Sequence, residues 1–302
     1  MYDSDFVSIG STDEAASPPA SLHAAVSHNR AIVGLSELAA MLGVPIDVTA
    51  DMADVEFPVR RLQPGETLCR AGDAFVALYV VRSGFLKTVS LDGAGNEQVL
   101  AFPMRGDTIG VDGFDQGHYT ADAIALDSCH VIIVPFVRIA GLGHRIPGIE
   151  RLIYAIFNRE LVHRQNMVRL LGMLNAEARV AAFLLDLSVR YGRLGCSRSS
   201  FVLRMTRQEL GSYLGIKLET VSRALSAFAA SGMMDVSRRE VVLNDVEGLR
   251  RKLESPTVKD LARRISHKRA VGSMPASARV ASRAASWSQM AACGDFSLPV
   301  SA

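Results

Sequence analysis

The stretch that most limits what this chain can become is Met205–Gly232, MTRQELGSYLGIKLETVSRALSAFAASG. Thr206 has the chemistry of a helix N-cap, and Glu209 follows three residues later in capping-box register. Leu210, Tyr213 and Leu214 then form one apolar face. After Gly215–Ile216–Lys217 a second pattern runs Val221, Ala224, Leu225 and Phe228, again at helical spacing, and stops at Ser231–Gly232. Two short helices joined by a tight turn containing Gly make a helix-turn-helix. The outward face of the second helix carries Lys217, Glu219, Thr220, Ser222 and Arg223. Such side chains can read base edges in a major groove: Arg at guanine, Glu at cytosine N4, Ser at several bases. The pattern also fits an ordinary helical hairpin with a solvated polar face, and this stretch alone leaves both open.

Length and composition set the frame around it. A chain of 302 residues suggests about two domains. With 49% hydrophobic and 21% charged residues it is globular and long enough to bury sizeable cores. The formal net charge of +2 does not by itself declare a nucleic-acid partner. Its distribution says more. Arg204, Arg207, Lys217, Arg223, Arg238, Arg239, Arg250, Arg251 and Lys252 gather toward the C-terminus, a bias compatible with phosphate contacts and equally with a solvated surface. No run approaches the roughly 18 apolar residues of a membrane span. The acidic N-terminus lacks the layout of a signal peptide, so a cytoplasmic location is expected. Cys69, Cys129, Cys196 and Cys293 are spread without a C-x-x-C pair, which argues against a zinc ribbon, a thioredoxin-type motif or a disulfide framework.

Along the chain, residues 1–30 are rich in Ser, Ala, Pro and acidic groups and read as a disordered arm. AIVGLSELAAMLG, residues 31–43, predicts a short amphipathic helix. From about Val55 to Pro135 the texture changes to short apolar or alternating runs, among them VEFPVRRL, ALYVVRSG, FLKTVSL, EQVLAF and CHVIIVP. Turn signals such as Pro64–Gly65, Gly72–Asp73, Ser83–Gly84 and Gly106–Asp107 divide them. Strands of this length and spacing predict a small all-β sandwich or barrel. Residues 147–174 switch to helical period, with Ile149, Leu152, Ile153, Ile156, Phe157, Leu161, Val168 and Leu171 in one stripe behind Pro147. So long a stripe predicts a dimer seam, or a helix packed on its own domain. Asn175 is placed to cap a second helix running to Tyr191. A short strand at Phe201–Met205 leads into the opening stretch. A hairpin around Arg238–Arg239 stands where a wing would, and Val246–Leu253 closes the unit. Residues 255–302 read as a disordered basic tail.

This order of parts resembles the CRP/FNR family of bacterial transcription regulators. PGETLCRAGDAFVALYVVRSGFLKTVS is similar to the family's first sandwich strands. NEQVLAFPMRGDTIGVDGF, NAEARVAAFLLDLSVRY and MTRQELGSYLGIKLETVSRAL resemble its FNR branch, and the likeness covers roughly residues 35–253. It implies an α+β fold: a cyclic-nucleotide-binding-type β-roll (31–146), a long dimerisation helix (147–174) and a C-terminal winged helix-turn-helix (175–254). By position Glu219, Ser222 and Arg223 match the E-x-x-S-R recognition signature of the FNR branch, which implies TTGAT-type half-sites paired as an inverted repeat on a homodimer. Thr206, Arg207, Gln208, Lys217 and Thr220 complete the expected DNA-binding set, with Thr206, Arg207 and Thr220 placed for phosphates. RNA polymerase is the further partner the resemblance implies.

The chain departs from the family's two best-known sensors. Cyclic-AMP-binding members hold the ribose with a Gly-Glu and the phosphate with an Arg-Ser/Thr; here those positions are Val111 and about Thr120–Ala121. Iron–sulfur members need four thiolates. Residues 1–68 contain no cysteine, and the family's internal cysteine falls near Ile132, three residues from Cys129. Neither cofactor is expected. A thiol switch at Cys69 and Cys129, or metal or haem at His118 and His130, is possible chemistry, but buried structural thiols and loop histidines account for these residues more simply. The sequence holds no H-x-H, G-x-S-x-G, Walker-type or G-x-G-x-x-G motif, so an enzyme is not expected. The competing class is a ligand-binding β-roll regulator without strong DNA specificity.

Overall fold

The computed structural model describes residues 31–46, 55–91, 93, 95–143 and 147–253. The expected N-terminal arm and basic tail lie outside the described residues. Among the described residues, nine strands build a roll from two antiparallel sheets. β1 (Ile32–Gly34), β2 (Glu56–Leu62), β9 (Cys129–Pro135), β4 (Ala77–Ser83) and β7 (Thr108–Ile109) lie in that order in one sheet. β3 (Thr67–Cys69), β8 (Asp122–Ala125), β5 (Leu86–Leu91) and β6 (Glu97–Ala101) form the other.

β4 and β9 pair from Ala77↔Pro135 to Val81↔Val131 and show why both read as unbroken apolar runs. Side chains alternate between faces of a sheet. Ala77, Tyr79, Val81, Val131 and Ile133 point into the roll, where they meet Leu68, Leu86 and Ala123 of the facing sheet. Leu78, Val80, Ile132 and Val134 point outward against helices. With both faces covered, no polar alternation is needed. Gly84, at φ 89°, follows β4 at a point where a Cβ would lie 2.6 Å from both Cys129 Sγ and Ser128 O. Only glycine lets the two chains approach so closely there.

The helices on the outer face are α1 (Leu35–Met41), α3 (Phe136–Gly143) and the first half of α4 (Pro147–Met173); α2 (Gly113–Gln116) is a single turn in the roll. Ile149, Leu152 and Ile156 of α4 are buried on the chain's own roll, whereas Leu161, Val162 and Val168 are exposed, Val168 by 71%. The predicted stripe therefore divides into a buried half and an exposed half. No helix among the described residues is long and apolar enough to cross a membrane.

α5 (Ala176–Arg193) follows a sharp break at Asn175, whose side chain accepts from Ala178 N at 2.9 Å. Beyond it come β10 (Ser200–Val202), α6 (Arg207–Leu214), α7 (Leu218–Ala230), β11 (Met234–Ser237), β12 (Glu240–Leu243) and α8 (Val246–Leu253), with the small sheet ordered β10-β12-β11. One apolar core joins this C-terminal unit, the head, to the outer face of the four-stranded sheet, uniting Phe85, Val99 and Phe102 with Phe183, Tyr213 and Phe228.

Three expectations change. Residues 32–34 form a strand rather than the start of a helix, because Ile32–Gly34 pairs with Glu56–Pro58 at the sheet edge. α3 is not among the expected elements; its FVRIAGLG carries two glycines and β-branched residues, which are weak helix formers, and packing of Ile139 against the roll supports it. The strand expected at 201–205 runs over Ser200–Val202 instead: Leu203 and Met205 turn into the core before Thr206 starts α6.

Candidate nucleic-acid interface

The reading head is built from two caps and a turn. Thr206 Oγ1 accepts from Glu209 N at 3.1 Å, and Glu209 Oε2 accepts from Thr206 N at 2.7 Å, which closes the capping box. α6 ends at Gly215 in the left-handed region, φ 62°. Gly211 makes the turn possible: a Cβ there would stand 2.7 Å from Ile216 O and 3.4 Å from Leu218 N. Val221, Ala224, Leu225 and Phe228 of α7 are buried, so the helix presents the opposite face.

That face brings together the expected residues of α7. Lys217, the N-cap residue, Glu219 and Arg223 are exposed, and Thr220 and Ser222 are half-buried between them. Glu219, in the first turn, suits the positive end of the helix dipole. Among the described residues Lys217, Glu219 and Arg223 take part in no ion pair, so their charges face outward unneutralised. Arg207 and Gln208 are exposed at the start of α6, and Arg207 Nη1 reaches Ser222 Oγ at 3.4 Å, joining the two helices across the face. Thr206 is exposed, but its hydroxyl already donates to Glu209 Oε2 at 2.9 Å, so this side chain serves the cap. The β11–β12 hairpin turns at Arg238 and Arg239, with Ser237 paired to Glu240 and Arg238 at φ 55°.

Contacts that the sequence pattern gives no sign of fix the head against the roll. Lys87 Nζ of β5 lies 2.9 Å from Glu209 Oε1. Ser212 Oγ of α6 accepts from Val99 N at 2.9 Å and donates to Glu97 O at 3.2 Å, capping the edge strand β6. Arg204 pairs with Asp127 at 2.9 Å, and Arg190 pairs with Asp107. Phe102 packs edge-to-face against Phe183 and tilted against Tyr213, with centroids at 6.0 and 5.1 Å.

In the other half of the chain, a cavity of about 410 Å³ lies between the roll and α4. Val111 and Ala121 line it, together with Tyr119 and His163, and Thr120 donates to Asp112 at its wall. Its cation, Arg164, is paired with Glu160 at 2.7 Å. Cys69 and Cys129 are buried, and burial pushes the Cys69 thiol up to about 12 and raises that of Cys129. His130 Nδ1 meets Ser83 Oγ at 3.0 Å and His118 Nδ1 meets Gln116 O at 2.8 Å. The described residues contain no cluster of metal-ligating side chains.

Comparison with known proteins gives matches to both halves. Residues 178–252 match the Crp-like helix-turn-helix domain, and residues 59–142 the cyclic nucleotide-binding domain. The chain is 35% identical over 216 residues to the transcriptional regulatory protein btr of Bordetella pertussis, covering 72% of this chain and 89% of that protein. It is 37% identical to the transcriptional activator protein anr of Pseudomonas aeruginosa, covering 69% and 87%. The structure of FixK2 from Bradyrhizobium japonicum superposes with a TM-score of 0.59 at 27% identity, covering 65% of this chain and 96% of that one.

Proposed function

Because the chain belongs to the CRP/FNR family of bacterial transcription regulators, on its FNR-like side, we propose that it acts as a homodimer on inverted repeats of TTGAT-type half-sites. It is a DNA-binding regulator and not an enzyme. The observation that carries the site preference is the Glu219–Ser222–Arg223 face of α7, exposed at Glu219 and Arg223 and half-buried at Ser222, opposite a fully buried one. Arg223 donates to guanine O6 and N7, Glu219 accepts from cytosine N4, and Ser222 contacts a thymine. Lys217, Thr220, Arg207 and Gln208 hold the backbone and set register. The exposed Leu161, Val162 and Val168 on the second half of α4 support a dimer seam there. Two heads about 34 Å apart then meet successive major grooves. RNA polymerase is the further partner that family membership suggests, and a protein reading genomic DNA belongs in the cytoplasm.

We also infer that the cavity takes no cyclic nucleotide. Val111 offers no acceptor to a ribose hydroxyl, Asp112 would repel a phosphate beside Thr120, and the Arg164 guanidinium is already engaged by Glu160. A phosphate buried there would lack its counter-charge. Nor do Cys69 and Cys129 suit an iron–sulfur cluster, since these two thiols fall short of the four ligands that it needs. Fluorescence anisotropy on an inverted TTGAT repeat and a scrambled duplex at one fixed salt tests the main reading. Specific binding exceeds the scrambled duplex by about a thousandfold or more. Equal, weak binding to both returns the chain to the class of ligand-binding regulators without DNA specificity.

A further inference from the structure

Arg179 stands at the meeting point of three segments. One turn into α5, its Nε donates to Leu174 O at 3.0 Å, its Nη2 to Leu171 O at 2.7 Å and its Nη1 to Leu214 O at 3.0 Å. Leu171 lies in the last turn of α4 and Leu174 just beyond it; Leu214 is the last residue of α6. Terminal carbonyls of a helix have no partner within it, and they form the negative end of its dipole. One guanidinium therefore satisfies the C-terminal ends of the long helix and of the first helix of the reading head together. The turn itself rests on the same place: a Cβ on Gly215 would stand 3.6 Å from both Arg179 Nη1 and Leu171 Cδ2. Two residues later Lys217 begins the recognition helix.

We propose that Arg179 is the positioning residue that fixes the angle between α4 and the recognition helix, and thereby sets the half-site spacing that the dimer accepts. The inference rests on the dimeric, TTGAT-reading function proposed above. In a dimer joined along α4, the two heads are placed relative to each other by how each leaves its own α4. The fork is suited to this because its planar donors address three carbonyls in fixed directions, which a lysine ammonium on a flexible stem does not. Removing it leaves the head docked on the roll through Lys87–Glu209 and Ser212–Val99, so the fold persists while the polar tie between the end of α4 and the end of α6 is lost.

The test uses the full chain, inverted TTGAT duplexes whose spacer is varied one base pair at a time, and a duplex with a single half-site. Wild type shows one spacer optimum and loses about tenfold in affinity one base pair to either side. Arg179→Gln flattens this discrimination to about twofold while single half-site binding stays within about twofold of wild type. If Arg179→Gln keeps the wild-type ratio between spacers, with or without a uniform loss of affinity, Arg179 is a structural strut and the proposal falls. A wild type with no spacer optimum overturns instead the dimeric reading on which the proposal rests. Arg179→Lys, which keeps the cation at both helix ends, carries the same test and the same flattening should the Gln variant not fold. Failure of both variants to fold assigns Arg179 to the core and overturns the proposal.

Discussion

Lys87 and Glu209 meet at 2.9 Å across the junction between the roll and the reading head, with side chains only 13% and 18% exposed. The same Glu209 carboxylate closes the capping box on Thr206. One side chain thus starts the first helix of the head and fastens that helix to strand β5 of the roll. Local helix chemistry and domain placement are joined in a single ionised group.

That group makes stability depend on pH in a definite direction. Burial alone would raise the Glu209 carboxyl, but the Thr206 N–H and the Lys87 ammonium outweigh it and hold it below its ordinary 4.5. A folded value below the unfolded one means that the stabilisation is complete above 4.5 and is lost as pH falls through the folded value beneath it. Glu209→Gln therefore costs about 1 kcal/mol at neutral pH. Thermal melts across the acid range show its deficit against wild type shrinking on acidification; a deficit that grows there contradicts the assignment.

Gly211→Ala destabilises the head by about 1–3 kcal/mol, because the added methyl meets backbone at Ile216 and Leu218 rather than a flexible side chain. Gly141→Ala in α3, where nothing lies within 4 Å, gains about 0.5–1 kcal/mol. Urea denaturation of the two variants separates crowding from helix propensity, and similar behaviour of both would count against the turn geometry.

Cyclic AMP leaves the melting temperature unchanged even at millimolar concentration. A ligand at a hundred times its Kd would add about 2.7 kcal/mol, a shift that melting curves resolve readily. A concentration-dependent rise in Tm, with tighter DNA binding, would show that the cavity accepts the nucleotide despite Val111 and Asp112.

Among the described thiols, native alkylation at pH 7.5–8 (about 1 unit below an ordinary thiol pKa) labels Cys196, which is exposed, well before Cys69 and Cys129. Burial pushes the Cys69 thiol up to about 12 and keeps it protonated. Peptide mapping after a short pulse reads the order, and early labelling of Cys69 would revive a thiol switch.

What could be read in advance was what local chemistry writes into consecutive residues. The Thr206–Glu209 box, the apolar spacing of Val221 to Phe228 and the Asn175 cap each depend on neighbours within a turn or two. The strands β4 and β9 were legible as apolar runs, though not that both their faces are buried. β1 and α3 escaped because pairing with β2 and packing on the roll create them, against weak local preference. The Lys87–Glu209 pair, the Ser212 cap on β6 and the fork of Arg179 join residues far apart in sequence, with no spacing that could announce them. Gly211 did leave a signal, a glycine inside a predicted helix, whose meaning appears only once the turn folds back upon it.

The proposed function turns on Arg223, which on the exposed face of α7 is placed to read a guanine. A double-mutant cycle tests it most directly, combining Arg223→Ala with replacement of that guanine in the TTGAT half-site, in binding titrations at one salt concentration. Each change alone costs about 1–3 kcal/mol, and the two together cost little more than either, because they remove the same contact. Losses that simply add, or an Arg223→Ala effect equal on cognate and scrambled DNA, would show that Arg223 only holds the backbone and that the sequence is read elsewhere.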